Sequence, residues 1–337
     1  MIKLTVVTTT YNQEKFIRNA LDGFVNQITN FSFQVIISDD CSTDGTRSIL
    51  KEYAEKYPNI IKPIFNKKNL GAMDNFVSTL SKAKTEYVAL CDGDDFWTDN
   101  NKLQKQVDFL DNNLDYSICF HQTKIFFEDK SKKEEVYPTS VKEETSLDDL
   151  LKECYIPANT VVYRWRFSKG NFLNFFPNDV VPGDYFVHLL HAEKGKIHFI
   201  NEVMSSYRRH QGGMWWETSQ TDQQTQFHIK YGVKYINFFE AIEKHFNLND
   251  NFYAIQKNYL MRTTIKAYLE NNMYEELVIL SKIHQDLYDL HIKDFSYKPV
   301  YENLSKPKKI IYLFVIDKKL LFKKIKNNIK KHFIRKV

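Results

Sequence analysis

The sequence predicts an α/β protein with a mainly parallel sheet flanked by helices, followed by a helical C-terminal region. Short apolar segments typical of buried strands alternate with segments of helical periodicity through the first third of the chain. Acidic and hydroxyl side chains follow several of these strands, at the position where open α/β sheets bind ligands. From about Thr221 to about Leu290 the pattern becomes helical, with few glycines.

Repeated strand and helix signals in the first third indicate parallel strands joined by right-handed crossovers. Ser42 or Thr43 is predicted to cap the second helix, which should stop before Pro58. Strands are predicted over Leu4–Thr10, Val35–Ser38, Ile61–Phe65 and Tyr87–Leu90, with helices over Gln13–Asn26 and around Ile49–Tyr53, Phe76–Leu80 and Leu103–Leu110.

The middle of the chain is less regular. We predict strands over Ser117–Phe127, Ile156–Tyr163 and Ile197–Phe199, a polar loop over Asp129–Glu144 and a helix over Tyr185–Glu193. The change of pattern then divides the chain into three predicted parts: a nucleotide-sugar-binding and catalytic domain over 1–220, a helical region over 221–300 and a basic amphipathic tail over 301–337.

The composition is that of an ordinary globular protein. Of its 337 residues, 43% are hydrophobic and 26% charged. Four cysteines without metal-like spacing fit a reducing compartment. We find neither a basic leader before a long apolar stretch nor a run of about 18 apolar residues, so we expect no signal peptide, no membrane span and a cytoplasmic location.

Three carboxylates, Asp92, Asp94 and Asp95, lie within four residues at the end of the fourth predicted strand. In an extended backbone Asp92 and Asp94 point to the same side, and Gly93 between them permits close approach of a ligand. Paired carboxylates suit Mg²⁺ or Mn²⁺, and such an ion suits a diphosphate. A lone Asp-x-Asp is more often an acidic turn, but here it follows a buried strand and precedes an aromatic pair.

Polar side chains also follow the first two strands, at Thr9–Asn12 and Asp39–Ser42. In a parallel sheet these strand ends and Asp92–Asp95 can lie along one edge. A nucleobase could then rest on the Tyr11 ring while a carboxylate accepts a hydrogen bond from its N–H. The alternative for Asp39–Ser42 is helix capping, and the alternative for Asn69–Gly71 is an ordinary turn.

In order and spacing, these segments resemble family 2 glycosyltransferases of the GT-A fold, and most closely the bacterial branch that assembles capsule, lipopolysaccharide and glycoprotein glycans. The resemblance covers roughly residues 1 to 215. It is carried by Val7–Glu14, Ile37–Thr46, Asn69–Gly71 and Cys91–Trp97, and Thr9 departs from it where the family more commonly has proline.

The resemblance implies roles for the matching positions. Asp40 falls where a carboxylate accepts from uracil, and Asp94 ranks first as the ligand of Mn²⁺ or Mg²⁺. The implied nucleotide-sugar-binding residues are Thr9, Tyr11, Asp39, Asp40, Asn69, Asp92 and Asp95.

A transferase also needs a base for the acceptor hydroxyl. Asp184 follows a Pro-Gly turn at the start of a predicted helix, where the family places its base and where the alternative is a plain N-cap. Tyr207–Gly213 resembles the family's Tyr-Arg-x-His segment, so His210 is a candidate metal or diphosphate ligand and its arginines are candidate phosphate partners. Trp215 and Trp216 could stack on a sugar or pack the helical region against the sheet.

These features together predict an inverting, metal-dependent glycosyltransferase that moves a sugar from a nucleotide-sugar donor to a glycan or lipid-linked glycan. The favoured donor is a UDP-sugar. We expect no nucleic-acid partner. One alternative is a sugar nucleotidyltransferase, which should carry a glycine-rich phosphate loop after the first strand; Tyr11–Lys15 contains no glycine. The other is a non-catalytic nucleotide-sugar-binding protein.

The tail is strongly basic. From Lys306 onward it has twelve Lys or Arg and one acid, which leaves 35 basic and 41 acidic residues elsewhere. Leu321, Ile325, Ile329 and Phe333 recur every four residues, as in an amphipathic helix. Such a helix could cover the body of the protein or lie on an anionic membrane.

We predict that the full-length protein sediments with anionic vesicles at low salt and is released by high salt, because each basic residue near the surface contributes about 1 kcal/mol. A variant truncated after Ser305 should stay in the supernatant and still act on a short water-soluble acceptor. Full-length protein that ignores anionic vesicles at low salt would assign the tail to packing.

Overall fold

A computed structural model describes residues 1–216, 224–248 and 251–295 of the 337. The chain divides into two compact units, Met1–Trp216 and Glu217–Val337, close to the predicted division at residue 220. The predicted basic tail lies outside the described residues, so its membrane contact stays a prediction.

The first unit contains one ten-stranded sheet with helices between its strands. The strands are β1 (Leu4–Thr10), β2 (Phe33–Asp39), β3 (Ile61–Phe65), β4 (Tyr87–Leu90), β5 (Phe96–Trp97), β6 (Tyr116–Phe127), β7 (Glu135–Tyr137), β8 (Glu144–Thr145), β9 (Val162–Arg164) and β10 (Lys196–Arg209). The helices are α1 (Ile17–Val25), α2 (Thr46–Lys56), α3 (Ala72–Leu80), α4 (Lys102–Asn112), α5 (Leu147–Lys152) and α6 (Gly183–Ala192), with short 3₁₀ turns at Ala158–Thr160 and Phe172–Asn174.

The strand order along the sheet is β3-β2-β1-β4-β9-β6-β10-β5, with β7 paired to β6 and β8 to β10. Strands β1 to β4 run parallel, and so do β6 and β10. The prediction of an α/β protein with a mainly parallel sheet is confirmed. Its parallel part is apolar because helices cover both faces: Ile17, Leu21 and Phe24 of α1 are fully buried, as are Leu4 and Val6 of β1.

Four local predictions were wrong in detail. Helix α2 begins at Thr46 without a side-chain cap, because the Ser42 hydroxyl accepts from Asn12 N at 2.9 Å instead. The stretch predicted as a polar loop contains the short strands β7 and β8. The strand predicted over Ile156–Tyr163 is interrupted by a 3₁₀ turn at Ala158–Thr160, and only Val162 and Tyr163 enter antiparallel β9. Strand β10 continues ten residues beyond Phe199, so Tyr207 lies within it.

The described part of the second unit is helical, as predicted. Its helices are α7 (Gln224–Phe246), α8 (Asn251–Glu270), α9 (Tyr274–Ile283) and α10 (Gln285–His291), followed by a 3₁₀ turn at Ile292–Asp294. A core that includes Ile236, Met261 and Leu277 holds them together. Within the described ranges, no helix is both long and apolar enough to cross a lipid bilayer.

Helix α6 is anchored by two buried histidines. His188 Nε2 donates to the Ile156 carbonyl at 3.1 Å, so its Nδ1 accepts from the Tyr163 hydroxyl at 2.5 Å. The ring of His191 stacks on Tyr163 and Trp165, with centroids 4.4 and 5.0 Å away. Burial lowers the pKa of each histidine to about 3, so both are neutral in the folded protein.

These pKa values predict that the first unit loses stability as pH falls below about 6.5. The two histidines bind protons in the unfolded chain at that pH and stay neutral in the folded chain. Each histidine should contribute about 1.4 kcal/mol per pH unit down to its folded pKa. His191→Phe keeps a stacking ring without the titration, so its free energy of unfolding should depend less steeply on pH between 4 and 6 by about that amount.

Urea unfolding followed by tryptophan fluorescence measures this slope, because all four tryptophans belong to the first unit. Equal slopes for His191→Phe and the wild type would show that His191 is not buried neutral.

Candidate active site

The structure brings the ends of β1, β2 and β4 to one edge of the sheet. Thr10 is paired with Asp39 in the register of β1 and β2, and the chain beyond β4 stays beside β1, where Gly93 N donates to Thr9 O at 2.9 Å. A Cβ on Gly93 would lie 2.5 Å from Gln13 Oε1 and 2.8 Å from Ile17 Cδ1. A larger residue at position 93 would force these side chains to shift, so glycine favours the close packing of the acidic segment after β4, residues 92–95, on the start of the chain.

Asp92 and Asp95 occupy different environments within this acidic segment. Asp92 still reaches solvent and accepts from the Thr9 hydroxyl at 2.9 Å. Loss of hydration among the surrounding protein atoms, and then the charge of Asp94, raise the pKa of Asp92 to about 7. Asp95 is buried, and burial followed by the charge of Asp94 raises its pKa well above the ordinary value.

Arg208 holds the acidic segment against β10. Its backbone N–H donates to Asp95 Oδ1 at 2.8 Å and its guanidinium Nε donates to the Asp94 carbonyl at 2.9 Å. The guanidinium also pairs with Glu128 and lies over the Phe16 ring, 4.5 Å from the centroid. Because this side chain is buried and already paired with Glu128, it positions the acidic segment, and its predicted contact with a phosphate stays a prediction.

Asp94 and His210 face each other. Asp94 Oδ2 lies 2.9 Å from His210 Nε2, and the imidazole packs on Phe16 with ring centroids 4.6 Å apart. Since Gly212 N donates to His210 Nδ1 at 3.2 Å, Nε2 carries the ring proton and donates to Asp94. The structure thus pairs the two side chains predicted to bind a metal.

The two acids after β2 differ in what they already bind. Asp40 accepts from Leu70 N and Gly71 N, each at 2.8 Å, and from the Asn66 side chain at 3.0 Å. Asp39 Oδ2 accepts from Arg47 Nε at 2.5 Å, while its Oδ1 is buried without a hydrogen-bond partner among the described residues. Asp40 therefore fixes the loop after β3, and Asp39 keeps an unused acceptor.

Tyr11 and Asn69 lie on the loops that frame these acids. Tyr11 is 47% exposed, which leaves its ring accessible to a ligand. The Asn69 side chain donates to the Asp40 carbonyl at 3.2 Å and accepts from Gly71 N at 3.0 Å. Asn69 stabilises its own turn, in line with the alternative of an ordinary turn.

Asp184 lies in the first turn of α6. Its carboxylate accepts from Tyr185 N at 2.9 Å, and burial raises its pKa. Its charge in turn helps to raise the pKa of Asp92, which places the two carboxylates in electrostatic range of each other. The first turn is tightly packed, because a Cβ on Gly183 would lie 2.3 Å from the sulfur of Met73.

Sequence reasoning missed Arg208 as the clamp of the acidic segment and Phe16 as the support of His210. Arg208 lies more than 110 positions from the acidic segment and His210 almost 200 from Phe16, and no local pattern in the sequence signals these contacts. Trp215 and Trp216, for which two roles were open, belong to the first unit: Arg209 donates to the Trp215 carbonyl at 2.8 Å, and the Trp216 ring centroid lies 6.1 Å from that of Phe127.

Within the described residues, no group of three or more His, Cys, Asp or Glu is placed to hold a metal ion by protein ligands alone. The pair Asp94 and His210 nevertheless fits a divalent cation. Carboxylate oxygen and imidazole nitrogen suit Mn²⁺, and ligands of an octahedral ion at about 2.1 Å lie roughly 3 Å apart, close to the 2.9 Å between these two atoms.

Comparisons with known proteins point in one direction. The family model described as glycosyl transferase family 2 matches residues 5–164. The putative teichuronic acid biosynthesis glycosyltransferase TuaG of Bacillus subtilis is 31% identical over 208 residues, which are 61% of this chain and 78% of TuaG. An uncharacterized Mycobacterium tuberculosis protein is 44% identical over 212 residues, 63% of this chain. The match spans 60% of the length of that mycobacterial relative.

Solved structures share the fold at low sequence identity. Residues 1–349 of S. aureus TarS, in complex with UDP-GlcNAc, match with a TM-score of 0.51 and 19% identity over 93% of this chain and 87% of that one. A mannosyltransferase from Pyrobaculum calidifontis, in complex with GDP-Man and Mn²⁺, matches with a TM-score of 0.50 and 15% identity over 96% and 88%. The predicted GT-A fold is confirmed.

Proposed function

Since the chain belongs to glycosyl transferase family 2, we propose that it is an active glycosyltransferase, inverting and metal-dependent, that uses a nucleotide-sugar donor. The observation that carries the proposal is the meeting of Asp94 and His210 with Asp92 and Asp184 in electrostatic range at one sheet edge. UDP is the first choice of nucleotide, because the TarS structures contain UDP and UDP-GlcNAc.

For the nucleotide base we propose a change from the sequence prediction. Asp40 was predicted to accept the uracil N–H, but its oxygens already accept three hydrogen bonds from the loop after β3. The neighbouring Asp39 has a buried oxygen without a partner, and such an atom is costly unless a ligand completes it. Asp39 would therefore bind the base, with Tyr11 as the ring beneath it.

The donor diphosphate would lie at Asp94 and His210, with Mn²⁺ or Mg²⁺ bound between protein and phosphates. A cation there would neutralise charge on the departing diphosphate. For His210 to bind it, the ring proton must leave Nε2 and the bond from Gly212 must be given up. Asp94 needs no such change, so it is the stronger ligand of the two.

Asp184 would act as the base. Its raised pKa suits a proton acceptor, and its carboxylate accepts from the backbone N–H of the adjacent Tyr185. It would take the proton of the acceptor hydroxyl while that oxygen attacks the anomeric carbon, and the nucleotide diphosphate would leave from the opposite face. We propose a glycan or lipid-linked glycan of bacterial surface polysaccharide as acceptor, since TuaG is named for teichuronic acid biosynthesis.

A donor screen tests the proposal directly. Purified protein is incubated with UDP- and GDP-sugars, with Mn²⁺, Mg²⁺ or EDTA, and nucleotide release is measured. We expect release from at least one UDP-sugar, abolished by EDTA and restored by Mn²⁺. Release of pyrophosphate from sugar phosphate and nucleoside triphosphate would instead show a nucleotidyltransferase, and tight donor binding without turnover would show a binding protein.

Asp94→Ala should lower the metal-dependent rate at least about a hundredfold, or roughly 3 kcal/mol of transition-state stabilisation, because it removes the main cation ligand. Steady-state nucleotide release at saturating Mn²⁺ measures the effect. Asp108→Ala, an exposed acid on α4, is the matched control and should leave the rate unchanged. Wild-type activity that resists EDTA would exclude the metal assignment.

Asp184→Asn should abolish transfer and leave donor affinity close to that of the wild type, since it removes a proton acceptor and little volume. Calorimetric titration with the donor, beside the transfer assay, separates the two quantities. Loss of donor binding in this variant would make Asp184 a donor-site or folding residue.

A further inference from the structure

The end of β10 presents two different faces. Side chains alternate along a strand, so Arg208 and His210 share one side and Tyr207 and Arg209 the other. Arg208 and His210 both pack on Phe16 beside the acidic segment. Arg209 instead lies over the ring of Tyr207, 4.9 Å from its centroid. The proposed chemistry uses the first face and leaves the second without a role.

Arg209 differs from the other arginines around the site, which pair with carboxylates of described residues. Arg208 pairs with Glu128 and Arg47 with Asp39. Among the described residues no acid pairs with Arg209, although one of its N–H groups donates to the Trp215 carbonyl at 2.8 Å and so fixes its direction. It is half-buried, which makes an unused charge there more costly than on the surface.

Tyr207 connects this arginine to the reacting groups. Its phenol lies within range of the charges of Asp94, Asp95 and Asp184, and the guanidinium of Arg209 lies over its ring. Its hydroxyl makes no hydrogen bond to any described residue. The phenol O–H of Tyr207 and the remaining N–H groups of Arg209 can donate hydrogen bonds. Within electrostatic range of the proposed base, they form a site for a group that accepts hydrogen bonds.

The charges at this edge of the sheet indicate which hydrogen-bond acceptor the site of Tyr207 and Arg209 would bind. Asp92, Asp94, Asp95 and Asp184 would repel an anion, so an uncharged acceptor needs no cation here, whereas an anionic acceptor does. Arginine presents its N–H groups as a planar fork that matches carboxylate and phosphate. The donor diphosphate has its own proposed site on the opposite face of β10, at Asp94 and His210.

We propose that Tyr207 and Arg209 bind an anionic group of the acceptor, a carboxylate or a phosphate, close to the hydroxyl that Asp184 deprotonates. The inference rests on the proposed glycosyltransferase function and adds to it the chemical class of the acceptor.

The test uses full-length protein loaded with UDP and Mg²⁺ and measures the binding of D-glucuronate, inorganic phosphate and D-glucose by calorimetry or ligand-observed NMR. We expect at least one anion to bind ten times more tightly than glucose, and the two anions distinguish a carboxylate site from a phosphate site. Arg209→Gln should weaken that binding at least tenfold, Arg209→Lys should recover part of it, and Tyr207→Phe should weaken it a few-fold.

Arg18→Gln is the matched control, because it removes the same charge from a surface pair with Glu52 and should change nothing. The Kd for UDP should be equal in all variants. Glucose binding as tightly as both anions would overturn the inference, and so would a loss of UDP affinity in Arg209→Gln equal to its loss of anion affinity, since the arginine would then serve the donor diphosphate. Failure of the wild type to bind UDP would overturn the proposed function instead, and the anion titration without nucleotide would still test Arg209.

Discussion

The crowding of four carboxylates at one sheet edge is the constraint on which the rest of the site depends. Burial raises the pKa of Asp92, Asp95 and Asp184, neighbouring carboxylates raise the pKa of Asp92 and Asp95 further, and both effects cost stability in the folded protein. The fold offsets the cost with directed N–H and O–H groups: the Thr9 hydroxyl, the backbone of Arg208 and the ring of His210. These donors come from β1 and β10, which explains why β10 must run back to the edge formed by the first strands.

The sequence predicts the parallel half of the fold well and the other half poorly, for a physical reason. Strands β1, β2 and β4 are covered on both faces, so each is a short apolar run that stands out from its neighbours. Strands β7 and β8 are three and two residues long and mostly exposed, and they exist only because β6 and β10 offer hydrogen bonds. Exposed residues in the middle of β10 interrupt its apolar pattern, which hid its length.

The same limit applies within the site. The motifs identified the family, which the comparisons confirmed, and they selected the segments that the structure brings together, although the roles of individual residues stay predictions. Asp39 and Asp40 are chemically identical neighbours. What separates them is that the loop after β3 delivers two backbone N–H groups to Asp40 alone. The position of a backbone N–H group cannot be read from residue types. No sequence pattern could therefore have shown which of the two acids has an oxygen available for a ligand.

Arg208 and Arg209 likewise differ in their contacts and not in their residue type. They are adjacent and of one type, yet the alternation of a strand sends one between Phe16 and Glu128 and the other toward Tyr207. The first arginine holds the acidic segment and pairs with Glu128. The second pairs with no acid among the residues that the structure describes, so its charge remains available for the proposed acceptor. One strand thereby separates the two tasks of the enzyme proposed here: the donor's charge is handled on one of its faces, and the acceptor's on the other.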